Sequence, residues 1–119
     1  MKDDIRSTVP AVDPEVDPAA MREAAGRAGA LLKALANPDR LLLLCQLTQG
    51  EQRVGELESV LDLRQPSLSQ QLGVLRQEGL VTTRRDGKQI YYSIASQEAL
   101  AVLQLLYQLY CPKPEETSA

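Results

Sequence analysis

Two cysteines, Cys45 and Cys111, stand alone in a chain of 119 residues that has no histidine. A thiolate attacks sulfane sulfur and oxidants and binds soft metals. The chain opens on acidic rather than apolar residues and holds no run of eighteen apolar residues. A cytoplasmic protein without membrane contact is therefore expected. Thiols there stay reduced, so a cysteine pair is reactive or metal-binding rather than a permanent staple. Thiol-redox enzymology is disfavoured, and no cofactor is implied: there is no Cys-x-x-Cys, no histidine base and no glycine-rich loop. Two thiolates also fall short of the four ligands of a closed zinc site. Taken singly, Cys45 reads as a small apolar residue of a leucine-rich helix, and Cys111 as a surface thiol before Pro112.

A second set of side chains suits a different chemistry. Residues 64 to 94 read RQPSLSQQLGVLRQEGLVTTRRDGKQIYYSI. A short helix pattern runs straight into a β-hairpin with a basic tip, the form of a recognition helix and wing that contact a DNA duplex. Gln65, Ser67, Ser69, Gln70 and Gln71 are the candidate base readers. Glutamine pairs in bidentate fashion with adenine, and serine contacts several bases. Arg64, Arg76, Arg84, Arg85 and Lys88 suit phosphates or the minor groove, although Arg76 could pair with a nearby acid instead. The segment holds five basic residues against two acidic ones, a local +3 on a chain of net charge −3, whereas residues 1 to 17 carry −3. A basic patch on an acidic protein fits a small, specific footprint.

The elements that must hold these groups follow from start and stop signals. Residues 1 to 16 are polar with Pro10 and Pro14, and read as a disordered tail; residues 17 to 111 form one domain, and 112 to 119 a polar tail. Asp17-Pro18 and Asn37-Pro38 each pair an N-cap with proline at a first helical position. The first helix runs to about Ala36 and carries Ala24, Ala28, Leu31, Leu32 and Leu35. The second covers about Pro38 to Thr48, and its LLLLCQL run reads as largely buried. A third spans about Val54 to Leu61 with Val54, Leu57, Val60 and Leu61 inward. The fourth begins with Pro66 at its first position and ends at Gly79, with Leu68, Leu72 and Leu75 inside. Strands at 80 to 85 and 88 to 94 are joined by Asp86-Gly87 in a type I′ turn. Tyr91 and Tyr92 point to opposite faces. Ser96 caps a fifth helix in which only Gln104 and Gln108 are polar between Ala99 and Tyr110. So apolar a helix calls for a second copy, and a homodimer is expected. With aromatics scarce, Leu, Val and Ala must build the core. The class is mainly α with a small β-hairpin, a winged helix-turn-helix.

The stretches LLKALANPDRLLLL, SLSQQLGVLRQEGLV and RRDGKQIYYSI, in this order over about residues 18 to 111, resemble the ArsR family of winged-helix repressors. The resemblance implies a dimer built on the first and last helices, double-stranded operator DNA as partner, and repression relieved by an effector. Metal-sensing members often carry Cys-x-Cys at the start of the third helix; here EQRVGEL puts Arg53 and Gly55 in those places. Others bind zinc through His and carboxylates on the last helix, where this chain has the single acid Glu98. Placement of one cysteine on the second helix and one at the end of the fifth is similar to the persulfide- and sulfide-responsive branch. That branch implies a disulfide or polysulfide bridge between Cys45 and Cys111, release of DNA, and derepression of sulfide-detoxification genes. A thiophilic metal or arsenite site on the same thiols, or a response to peroxide or quinone, remains as an alternative input. An apolar setting for Cys45 and a helix C-terminus at Cys111 both disfavour a thiolate.

Overall fold

The computed structural model describes residues 16–111. The tails expected at 1–16 and 112–119 lie outside that range, save Val16. The chain divides into two compact units, one ending at Ala30 and the other beginning at Leu31. Helix α1, Pro18–Leu35, starts in the first. Asp17 accepts a hydrogen bond from the Ala20 N–H at 3.3 Å, the cap its sequence announces. The described residues of the first unit are all exposed, Ala24 and Ala28 included.

The second unit holds the last turn of α1 followed by α2 (Pro38–Leu47), β1 (Gln52–Arg53), α3 (Val54–Leu61), α4 (Ser67–Gln77), β2 (Val81–Asp86), β3 (Gln89–Ile94) and α5 (Gln97–Tyr110). Caps set the starts: Asn37 Oδ1 accepts from the Arg40 N–H at 3.1 Å, and Ser96 Oγ from the Ala99 N–H at 3.0 Å. Helix α4 ends in a Schellman arrangement. Gly79 sits at φ +78°, its N–H bonds Arg76 O at 3.1 Å, and the Leu80 N–H bonds Leu75 O at 2.9 Å. Leu75 and Leu80, the residues such a cap brings together, both lie in the core.

That core is built of leucine with Ala34, Ala99 and Val81, and no polar residue is buried in it among the described residues. Leu68, Leu72 and Leu75 hold the inner face of α4, as their spacing predicts. Two inward expectations are corrected. Val60 is 59% exposed, because α3 turns only Leu57 fully inside and Val54 and Leu61 cover its flanks. In α2, Leu43, Leu44 and Leu47 are buried, but Leu42 and Cys45, three residues apart on another face, are exposed.

The sheet is antiparallel in the order β1-β3-β2, with Gln52 opposite Tyr92, Arg53 opposite Tyr91 and Arg84 opposite Tyr91. Two-residue β1 has no periodicity to betray it in sequence. The hairpin loop is shifted by one residue from the Asp86-Gly87 expectation. Asp86 pairs with Gln89, leaving Gly87-Lys88 as the loop, and of the two only Gly87 takes positive φ, +64°. Positive φ at the first central residue alone is the type II′ pattern. Glycine enters the left-handed region without steric cost, so starting the turn there keeps Asp86 in the ladder. Pro66 likewise stands at the N-cap of α4, one residue before its first helical position.

Candidate nucleic-acid interface and dithiol

The outer side of α4 is polar because its leucines are spent on the inner side. Arg64, Gln65, Ser67, Ser69, Gln70 and Arg76 are exposed, and Gln71 is half-buried. Gln65 Oε1 accepts from the Ser69 N–H at 3.1 Å and from Ser69 Oγ at 2.5 Å. It thereby satisfies one of the free N–H groups that every helix start exposes. Gln71 Oε1 accepts from Arg40 Nη1 at 2.9 Å. Arg40, on α2, also donates Nε to Ala34 O at 2.6 Å and Nη2 to Lys33 O at 3.3 Å. One guanidinium thus joins the end of α1, the start of α2 and the flank of α4. Among the described residues Arg76 pairs with no acid.

On the hairpin, Arg84 donates to both carboxylate oxygens of Glu51, at 2.7 and 2.8 Å, and its guanidinium lies 4.5 Å from the centroid of the Tyr91 ring. The Arg84 hydrogen bond holds the Glu51 carboxyl below its usual range. Tyr92, on the opposite face of β3, packs against the core. Arg85 and Lys88 are exposed and enter no ion pair among the described residues. Arg40 and Glu51 were not among the residues singled out from sequence. Their partners lie more than thirty residues away, at separations of 31 and 33, and no local pattern marks them.

The thiols lie outside this surface. Cys45 is on α2, Cys111 caps the C-terminal end of α5, and both are free and exposed. Helices α2 and α5 pack together. Partial burial pushes the Cys45 thiol up, and the neighbouring Cys111 adds to that rise. The Cys45 thiol is thus shifted in the direction an apolar setting would give, although the residue is exposed. At the start of α3, Glu56 Oε1 accepts from the Arg53 N–H at 2.8 Å, the acidic half of a capping box. Together with Gln52, Gly55, Ser59 and Val60 they line a shallow groove. No group of three His, Cys, Asp or Glu side chains is placed to hold a metal among the described residues. No helix among them is long and apolar enough to cross a membrane.

Residues 37–83, which include the Asn37 cap, the helix-turn-helix and the start of the first wing strand, match the model of the arsR family of bacterial regulatory proteins. The "Biofilm growth-associated repressor" of Agrobacterium fabrum is 53% identical over 102 residues, 86% of each chain. The chain belongs to the ArsR family. The crystal structure of the transcriptional repressor BigR from Xylella fastidiosa superposes with a TM-score of 0.75 at 44% identity, covering 82% of this chain and 100% of that one. A solution structure of a homodimeric winged helix-turn-helix DNA-binding domain from Mycobacterium bovis, a possible ArsR-family regulator, gives 0.68 at 28% identity, covering 80% and 88%. This ArsR-family chain is accordingly a winged helix-turn-helix regulatory protein whose described residues form five helices and a three-stranded sheet.

Proposed function

We propose that the chain is a homodimeric transcriptional repressor of double-stranded operator DNA that lets go when Cys45 and Cys111 become bridged. The observation that carries the input is that Cys45 and Cys111 stand on, and at the end of, two helices that pack together, α2 and α5, with Cys111 adding to the rise of the Cys45 thiol. The polar outer side of α4 and the basic Arg85 and Lys88 of the hairpin supply the DNA-facing groups. Leu105 and Leu109, 53% and 63% exposed and one turn apart on α5, together with Leu32 on the last turn of α1, form the dimer face. The repressor names of the Agrobacterium and Xylella relatives support the sign of regulation.

The chemistry balances with a persulfide, RSSH, as oxidant. One cysteine thiolate attacks the terminal sulfur, giving Cys–S–SH and RSH. The second thiolate attacks the protein-bound sulfur, closing the disulfide and expelling HS⁻. Two thiols lose two electrons, and the sulfane sulfur accepts them. Insertion of further sulfane sulfur gives a polysulfide bridge instead. A cross-link over this length of chain constrains it by roughly 4 kcal/mol in the loop-entropy model. About 2.7 kcal/mol of difference between binding-competent and incompetent shapes weakens DNA binding a hundredfold.

Intact-mass analysis paired with a gel shift tests this. Exposure to persulfide is expected to remove two protons, or to remove them and add sulfur, and to release the duplex. Cys45→Ser and Cys111→Ser are expected to stay bound. Release by the serine variants would refute the bridge. Release only with peroxide, or only with arsenite and with the mass of the bound arsenic added in place of the two thiol protons, would assign the input to the alternative oxidant or metal classes.

A further inference from the structure

The three glutamines at the start of α4 are not equivalent. Arg40 carries donors only, so the part of the Gln71 amide facing it at 2.9 Å is the oxygen. The Ser69 N–H is also a donor only, so Gln65 turns its oxygen inward too. The Gln65 oxygen accepts twice from Ser69 and is filled, and the Gln71 oxygen is held toward Arg40, so neither amide is free to turn. Gln70 is exposed, and its side chain makes no hydrogen bond among the described residues. At about 100° per residue it stands roughly opposite the Leu68, Leu72 and Leu75 stripe.

Adenine presents an N7 acceptor beside an N6 donor in the major groove. Glutamine distinguishes it by giving one bond and taking the other. We infer that Gln70 is the residue that specifies adenine in the bound duplex. Gln65, its oxygen filled within the fold, acts as a donor, and Arg40 is the positioning residue that holds the Gln71 oxygen toward α2 and so keeps that amide from reading adenine. This rests on the duplex-binding reading above.

The test uses the full reduced chain and duplexes it selects from a randomised library. The selected motif is expected to hold an adenine whose replacement by 7-deazaadenine weakens binding roughly tenfold. Gln70→Ala, an exposed and helix-compatible change, is expected to lose that preference and become indifferent to 7-deazaadenine. Gln71→Glu keeps an acceptor for Arg40, and is expected to retain the adenine. Arg40→Ala releases the Gln71 oxygen and is expected to add adenine tolerance at a second position, reversed in Arg40→Lys; a loss of stability alone gives no new base preference. An adenine preference that survives Gln70→Ala, or that disappears in Gln71→Glu, overturns the inference while leaving DNA binding intact. A wild-type chain that enriches no duplex overturns the duplex-binding reading itself.

Discussion

Arg84 and Glu51 form a two-pronged ion pair, 2.7 and 2.8 Å long, that ties the wing to the loop ahead of β1 while Tyr91 supports the guanidinium from one side. Two adjacent arginines of one strand therefore have different tasks. Arg84 has its fork filled by a carboxylate, and Arg85 has no such partner among the described residues. Arg85→Ala is expected to reduce the slope of log affinity against log salt by about one. Arg84→Ala should change that slope less, and Glu51→Gln, by freeing Arg84, should steepen it. Fluorescence anisotropy over a salt series measures all three; equal losses for Arg84→Ala and Arg85→Ala would contradict the division of labour.

The pH response of the thiols follows from burial. Cys45 is raised above its ordinary value of 9.0 first by burial and then by Cys111. Alkylation of Cys45 by neutral iodoacetamide, followed by peptide mass mapping, is expected to keep accelerating above pH 9, because only the thiolate reacts. Cys111→Ser removes the second cause and should move the midpoint down without bringing it to that of an ordinary thiol. A midpoint unmoved by Cys111→Ser would mean that the two sulfurs do not sense each other.

A charge on the outer face of α5 probes the dimer. Leu105→Lys with Leu109→Lys places two ammonium groups where two exposed leucines stand, and neither leucine belongs to the buried core. The double variant is expected to sediment as a folded monomer and to bind duplex at least tenfold more weakly, since one recognition helix then acts alone. Sedimentation velocity with circular dichroism reads both; an unchanged dimer would put the interface elsewhere.

The hairpin loop offers a stability test. Gly87 lies at φ +64° with open space where a Cβ would stand, so substitution meets backbone strain and no clash. Gly87→Ala is expected to cost about 1 kcal/mol and Lys88→Ala close to nothing, read from urea midpoints. The reverse order would restore the Asp86-Gly87 turn.

Much of this architecture is written locally. Leu68, Leu72 and Leu75 repeat at helical spacing, Asn37 and Ser96 cap the helices they precede, and Gly79 ends α4. These signals act over a few residues, where periodicity and hydrogen bonding to the nearest backbone decide the outcome. The nomination of Cys45 and Cys111 as reactive rested on their being the two cysteines of the sequence and on a family resemblance in their expected places on the second and fifth helices. Tertiary structure alone decided which groups meet across the chain. Arg40 reaches Gln71 over 31 residues and Arg84 reaches Glu51 over 33, and Cys111 is brought close enough to influence Cys45. It also left Val60 and Leu42 outside, since an apolar face is buried only where another element arrives to cover it. The polar residues of α4 were legible as a set. Which of them keeps a free acceptor depends on donors supplied from α2 and from the helix's own first turn, and only the fold assigns those.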